Sequence, residues 1–481
     1  MLNVYNTLSK SLEPFVPIHP PFVGMYVCGP TVWDDPHLGH AKSYLSFDIV
    51  VRLLRAEGYK VRYVQNITDV GHILGDDESG EDRVLKKARI EKLEPVEIAQ
   101  KYENRYFLGM DRLNCLRPDI SCRATGHIIE MVGLVEKLLE KGFAYVSDGN
   151  VYFDLSRFAG YGKLSGRKID ELIEGVRVKT AEGKRHPADF ALWKQADPTH
   201  LMQWPSPWGK GFPGWHLECS AMSMKYLGDS FDIHGGGIDN QFPHHECEIA
   251  QSESATGKPF VKYWLHNNMV TVGGQKMSKS LGNFVTLETL FEKYHPMTLR
   301  FFILQGHYRS PQDFSDEALD AAQKGYEKLA KAVKDVEAAC MDNPVADIAE
   351  DPKWEEFRQR FLQFMDNDFN TAGALSILFD LVRETNSTLA NSTDRSFLPG
   401  VRSLFEDLGE KILGLSFVGR KQNDAVSLES GLVEVLIDMR EEFRSKKEWK
   451  RADAVRDRLA GLGIVLEDGK DGTRWSKSPG A

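Results

Sequence analysis

FVGMYVCGPTVWDDPHLGHAKSYLSFDIVVRLLRAEGYKVRYVQNI, residues 22–67, decides the fold class. It opens on a short apolar run rich in β-formers, FVGMYVC, and closes on a second one, VRYVQNI. Between them, from Gly39 to Gly58, Leu45, Ile49, Leu53 and Leu54 recur at helical spacing. Strand, helix and strand in that order predict a right-handed βαβ unit, the start of a parallel sheet. Further along, a second α/β stretch runs from about Trp215 to Val272, with FDIHGGGID as strand plus Gly-rich loop and YWLHNNMVTV as another strand. The residues between the two stretches are mixed in pattern and broken by Pro/Gly turns such as PSPWGKGFPG. The simplest architecture is one sheet domain in two halves, 1–75 and 211–272, separated by an inserted connective module at 76–210.

Beyond Pro311 the period changes from two to 3.6. DEALDAAQKGYEKLAKAVKDVEAACM, KWEEFRQRFLQFM and AGALSILFDLVRETNSTLAN carry apolar residues at i, i+3, i+4 and i+7, which predicts a helical bundle over 316–420. The tail, 421–481, is expected to hold one more helix, basic between Arg440 and Arg458, and then a hairpin in GIVLEDGKDGTRW built on Asp-Gly turns. Lengths are consistent: 481 residues correspond to roughly three domains. Hydrophobic residues at 42% and charged residues at 27% are a globular balance and exclude a disordered or collagen-like chain. No apolar run is long enough to span a membrane, and MLNVYNTLSK lacks a secretory leader's pattern, so a cytoplasmic location is expected. Cysteines at 28, 115, 122, 219, 247 and 340 are too dispersed for a disulfide framework, leaving metal binding or plain burial. A net charge of −10 argues against a general polyanion binder but not against a local basic face.

Two short strings carry chemistry. His37-Leu38-Gly39-His40 falls where the first strand hands over to the first helix, a junction with free N–H groups and a positive dipole end suited to phosphate. Two imidazoles three residues apart share a face there, and Gly39 lets a ligand approach the backbone. The ordinary alternative is a pair of surface histidines. Lys276-Met277-Ser278-Lys279-Ser280 follows Gly273-Gly274 and offers two cations and two hydroxyls in a loop, able to neutralise a triphosphate as charge develops. Alone, it reads equally as a basic surface turn. The two strings on opposite halves of one sheet are far harder to explain by chance.

With HLGH and KMSKS in that order and separation, the chain resembles a class I aminoacyl-tRNA synthetase. The flanking MYVCGPTVWDDPHLGH, GWHLECSAM, FDIHGGGIDNQFPHHECEIAQ and KMSKSLGNF narrow the resemblance to the cysteinyl-tRNA synthetases, and it extends through DFNTAGAL to the terminal GIVLEDGKDGTRW. It implies a Rossmann-like catalytic domain. It also implies ATP with Mg²⁺, L-cysteine and tRNA(Cys) as partners, and a monomer. His37 and His40, with Gly39, would hold ATP phosphates; Lys276, Ser278 and Lys279 would hold the departing pyrophosphate. Segment 273–315 would be the KMSKS loop and stem-contact region, and the bundle and tail would grip tRNA and its anticodon.

A metal constellation can be read beside this. Cys28 closes the first strand, Cys219 opens a helix, and His244 and Glu248 are four apart on one predicted helical face. Such a set can converge on a tetrahedral Zn²⁺. Spacing alone leaves open two buried thiols and a surface His-Glu pair, and His245 and Cys247 are local rivals. The string HHECE is not a zincin motif, since Ile249 stands where a second His is needed. The resemblance implies Cys28, Cys219, His244 and Glu248 as ligands of one zinc, and places Thr68, Trp215 and His234 around the amino acid. A lone Trp is otherwise core by default. Metal-based selection of a thiol would make a second editing site unnecessary. The sequence departs from the common family form after Asn66-Ile67-Thr68-Asp69, where VGHILGDDESGEDRV makes a longer acidic loop. Cys115, Cys122 and Cys340 read as structural. Two other readings compete: a cysteine:amino-sugar ligase, against which the long C-terminal part speaks, and a non-catalytic zinc-containing RNA-binding paralogue, against which the two intact signatures speak.

Overall fold

Strands Phe22–Val27 (β1) and Lys60–Ile67 (β2) pair in parallel, Met25 opposite Tyr63, with the helix Leu38–Ala56 (α1) crossing between them. The chain is described here from a computed structural model, over residues 1–71, 82–167, 183–198, 200–277, 282–342, 352–417, 428–469 and 472–477. Ile120–Arg123 (β3), Phe231–Gly237 (β4) and Val261–Asn267 (β5) complete a five-stranded parallel sheet in the order β5-β4-β1-β2-β3. Its central strands are buried on both faces, which is why they read as near-continuous apolar runs. From β1 the chain winds one way to β2 and β3, then returns to lay β4 and β5 on the other side. Order reverses between β1 and β4, and the crevice at their carboxyl ends is where such sheets hold ligands.

One strand of the segment expected as an insertion therefore belongs to the main sheet. ISCR is too short and too polar to announce itself. The rest of that segment includes three short strands, Ala144–Ser147, Asn150–Phe153 and Phe190–Gln195, which with Gly211–Pro213, from the start of the expected second half, form an antiparallel sheet in chain order. The last of them feeds directly into the helix Trp215–Leu227 (α2). A further helix, Glu246–Thr256 (α3), follows β4. The glycines of HGGG have a packing reason: a Cβ on Gly235 would lie 2.4 Å from the Phe47 ring of α1.

The expected bundle is present as Asp316–Asp342, Pro352–Met365, Thr371–Asn391 and Leu398–Leu404, the last continuing in wider turns to Ile412. Its Leu329, Phe361, Leu378 and Leu408 share one apolar core with Leu45 and Leu53 of α1. A buried ionic hub reinforces that junction. Asp48 of α1 accepts hydrogen bonds from Arg300 Nη2, from Arg52 Nε at 2.8 Å and from the Leu116 amide at 2.7 Å. Arg300 also donates to the Leu413 and Leu113 carbonyls, at 2.7 and 2.9 Å, satisfying carbonyls near two helix ends.

Residues Met1–Phe417 form one compact unit and Val418–Ala481 a second. In the second, the expected single helix over 440–458 is two, Leu428–Ser445 and Trp449–Gly461. The break is at Lys447, whose φ of 61° is left-handed and stops the helical ladder. No glycine marks that position, so nothing in the local residues announces it. Arg440, counted with the basic residues of the tail, is buried and donates to Thr473 Oγ1 at 3.4 Å. The expected hairpin is Ile464–Gly469 against Gly472–Lys477, and it packs Ile464 on Val433, Ile437 and Leu459. Among the described residues no helix is long and apolar enough to cross a membrane.

Candidate active site and metal centre

The HLGH string caps α1. His37 is the N-cap residue: its Nδ1 accepts from the Gly39 amide at 3.1 Å, and His40 Nδ1 accepts from the His37 amide at 3.2 Å. The two rings stack, centroids 3.7 Å apart. Each Nδ1 is thus an acceptor, which leaves each Nε2 as the N–H donor of a neutral imidazole. Burial lowers His37 to about 4, and burial together with His37 pushes His40 well below its ordinary value. Both are uncharged donors at neutral pH, set on the positive end of a long helix.

A cavity of about 330 Å³ opens at the β1/β4 switch point. Its lining brings His37, Gly39, His40 and Lys276, the proposed phosphate end, together with Cys28 and Trp215, the thiol end. Lys276 crosses the mouth to Asp239 just beyond β4, Nζ to Oδ2 2.8 Å. Ser278 and Lys279, expected beside it, lie outside the described residues. Trp215 opens α2 and lies over His244, ring centroids 4.5 Å apart.

Under the thiol end the expected ligand set comes together. One donor atom from each of Cys28, Cys219, His244 and Glu248 lies within 4.8 Å of the others. Cys28 Sγ is 3.8 Å from Cys219 Sγ and from Glu248 Oε1, and His244 Nε2 is 3.1 Å from that same oxygen. All but Cys28 are almost wholly buried. A second set, Cys28, His234, His245 and Glu248, is equally close. Its His245 Nε2 is 3.2 Å from Cys28 Sγ, and its His234 Nε2 is 2.8 Å from Glu248 Oε2, a bond that orients the carboxylate and that ligation through this atom would undo. The first set keeps that bond, and keeps His244 Nδ1 against His216 Nδ1 at 2.9 Å. Burial works against ionisation here, but bonding to Cys28 and His244 brings the Cys219 thiol down to about 6. Likewise His234 and His244 overcome burial and hold Glu248 at about 2. Cys219 and Glu248 are thus poised ligands for a soft divalent cation, whereas His244, which burial lowers but Glu248 and Cys219 raise to about 10, and Cys28, whose thiol burial pushes up, would each give up a proton to it.

Thr68 and His234 do not line the cavity. Thr68 is buried and donates to Glu218, and His234 stacks on Trp264 at 4.6 Å while holding Glu248. Cys115 and Cys122 sit in or against the apolar cores.

The comparisons with known proteins match this geometry. A family described as the class I (C) tRNA synthetase catalytic domain matches residues 14–324, a DALR domain 360–418, and a cysteinyl-tRNA ligase anticodon binding domain 430–475. A relative from Chlorobaculum tepidum, named cysteine–tRNA ligase, is 51% identical over 490 aligned positions, covering 99% of each chain. The chain belongs to the cysteine–tRNA ligases. Another member of that family, from Thermus thermophilus, is 48% identical and covers 98% of this chain and 99% of its own. Solved structures agree on the fold. A Mycobacterium tuberculosis methionyl-tRNA synthetase holding methionyl-adenylate superimposes with a TM-score of 0.57 at 18% identity, over 81% of this chain and 89% of its own. An Agrobacterium radiobacter leucyl enzyme with tRNA does so with 0.60 at 11%, over 83% and 85%.

Several residues that build this ligase-family site were not singled out in the sequence. Asp239, His216 and Glu218 stand inside quoted motifs, yet nothing local distinguishes them from solvent-facing neighbours. The available signal was density: GWHLECS and FDIHGGGIDNQFPHHECE put acids and imidazoles into segments otherwise small or apolar, where a buried polar group needs a partner.

Proposed function

We propose that this protein attaches cysteine to tRNA(Cys) in two steps, with ATP·Mg²⁺ as the activating substrate and zinc selecting the thiol. The cysteine carboxylate attacks the α-phosphate and pyrophosphate leaves; a hydroxyl of the terminal ribose of tRNA then takes the cysteinyl group and AMP leaves. No side chain acts as a nucleophile. His37 and His40 donate from Nε2 to phosphate oxygens as negative charge redistributes, on the positive end of α1, whose first-turn amides are already bonded to the two imidazoles and to the Val285 carbonyl. Lys276, with Lys279 and Ser278 of the same loop, neutralises the departing pyrophosphate; Lys276 then exchanges its bond with Asp239 for one with phosphate. Trp215 walls the amino-acid end.

Cys28, Cys219, His244 and Glu248 would hold the zinc, their two sulfurs, one imidazole and one carboxylate being a donor set that suits this ion. When bound, it supplies a soft Lewis acid that favours the sulfur of cysteine over the hydroxyl of serine. His234 fixes Glu248 and excludes water from beneath the set.

One observation carries the reading: His37, His40 and Lys276 line the same cavity as Cys28 and Trp215, so groups suited to a phosphate and to a thiol share one space. The test is cysteine-dependent exchange of pyrophosphate into ATP, followed by charging of tRNA(Cys), on protein assayed for zinc. About one zinc per chain and both activities are expected. Cys219→Ser should weaken metal retention and cysteine-over-serine preference together. Unchanged zinc and unchanged preference in that variant would remove Cys219 from the ligand set.

A further inference from the structure

Cys28 and Cys219 are 191 residues apart, one just past the end of β1 and the other on α2, yet their sulfurs lie 3.8 Å apart. Apolar packing of α2 on the sheet cannot by itself set that spacing, because it is non-directional. A directional device is present. The Gly29 amide donates to Asn66 Oδ1 at 2.7 Å; Asn66 Nδ2 donates to Thr68 Oγ1 at 3.0 Å; Thr68 Oγ1 donates to Glu218 Oε2 at 2.9 Å. The first residue of this chain is the covalent neighbour of Cys28 and the last is that of Cys219. Asn66, Thr68 and Glu218 are almost wholly buried, so no water competes for these bonds.

The backbone makes the chain rigid. Thr68 N donates to the Pro30 carbonyl and its own carbonyl accepts from Val32 N, both at 3.1 Å, which closes the loop after Cys28 onto the end of β2. Gly29 lies so flat against β2 that a Cβ there would be 1.6 Å from the Asn66 carbonyl oxygen. The Thr68 hydroxyl is thus held between the Asn66 amide and the Glu218 carboxyl.

We infer that Gly29, Asn66, Thr68 and Glu218 form a buried hydrogen-bond strut that fixes the separation of the two thiols, with Asn66, Thr68 and Glu218 as positioning residues for the metal centre. The inference rests on the zinc reading above. It makes the direction of each bond matter. Asn66→Asp keeps the shape but removes the Nδ2 donor to Thr68 Oγ1 and puts a second buried carboxyl beside that of Glu218. Thr68→Val keeps the shape and removes the link. Thr68→Ser keeps the hydroxyl and serves as the rescue.

The experiment measures zinc affinity of the full-length protein by chelator competition, with the thiolate-to-metal absorption of the cobalt-loaded protein as a second readout. Thermal unfolding of each variant is followed alongside. Asn66→Asp and Thr68→Val should each lose about ten- to a hundredfold in zinc affinity, as outer supports of metal ligands typically do. Their cobalt spectra should shift, and Thr68→Ser should stay near wild type on both. If Thr68→Val does not fold, Asn66→Asp decides alone. Wild-type affinity and an unchanged cobalt spectrum in folded Asn66→Asp or Thr68→Val would overturn the strut, as would equal losses in Thr68→Val and Thr68→Ser. Wild-type protein that binds no zinc would instead overturn the metal reading on which the strut rests.

Discussion

At the end of the cavity proposed for phosphate, His37, Gly39 and His40 stand at the start of one helix, partly exposed and uncharged, with Lys276 as the cation beside them. At the thiol end the corresponding groups come from a strand end, from α2 and from the turn that opens α3, are largely buried, and are charged and mutually paired. The difference follows from the ligands. A polyphosphate brings its own charge and water, and neutral imidazole N–H donors at the positive end of a helix meet it at little desolvation cost. A metal that must distinguish sulfur from oxygen needs a dry, over-determined site, because only there do small differences in ligand softness survive. One end is, but for Lys276, local in sequence, and the other depends on tertiary structure throughout.

Both ends hang from the same frame, and the largest expected effect comes from breaking it. Asp48→Ala leaves Arg300 and Arg52 as buried cations without their carboxylate; removing one partner of such a buried pair costs about 3–5 kcal/mol. The urea midpoint should fall accordingly, and pyrophosphate exchange and zinc retention should fall together with it. A stable Asp48→Ala that loses one function and keeps the other would show that α1 does not carry both ends.

That dependence also explains what could be read from residues alone. HLGH was legible because its geometry is a helix cap, a local structure whose partners lie within three residues. The parallel sheet was legible from the apolar runs of β1, β2 and β4. Cys28, Cys219, His244 and Glu248 could be named from the resemblance, but spacing alone could not choose between His244 and His245: which imidazole faces the sulfurs depends on the turn before α3. The role of Thr68 was not legible at all. Its partner Glu218 is 150 positions away, and nothing in NITD states which way the hydroxyl points. The break at Lys447 escaped for the opposite reason: a non-glycine residue took a left-handed conformation.

A second, smaller effect separates the two ends. His40→Ala removes the acceptor that holds the His37 amide and the Nε2 donor aimed at phosphate. Loss of one preorganised donor of this kind costs on the order of a hundred- to a thousandfold in rate. Pyrophosphate exchange should drop by that factor, while zinc content and the preference for cysteine over serine stay unchanged. A parallel loss of metal would mean that the cap of α1 and the thiol end are one cooperative unit rather than two independently built sites.

The smallest effect tests a contrast in charge. Every buried charge at the thiol end has an opposite partner, whereas Lys42, half a turn beyond His40 on α1, is buried with only the His307 carbonyl and the Gln312 amide oxygen near its Nζ, at 3.4 and 3.3 Å. Burial pushes its ammonium down to about 8, from about 10.4 in an unfolded chain. The sign then follows from proton counting. Between pH 8 and about 10.4 the unfolded chain binds the proton that the folded one has released, so stability attributable to this residue rises with pH; below 8 both forms are protonated and the penalty is constant. Over pH 7 to 9 the relief amounts to about 1 kcal/mol. Lys42→Met cannot show it. The variant should be more resistant to urea than the wild type at pH 7, unless its lost polar contacts offset the gain, and in either case the wild type should gain on it by about 1 kcal/mol at pH 9. Buried tyrosines and thiols, which lose stability in alkali, are common to both proteins and cancel in the difference. His307, the nearest imidazole, is held below its ordinary value, mainly by burial, and does not titrate in this window. A difference that stays constant, or widens in the variant's favour, would show that Lys42 keeps an ordinary or raised value in the folded protein, as a solvated or paired ammonium does, and the contrast between a fully paired thiol end and an unpaired cation beneath the phosphate end would fail.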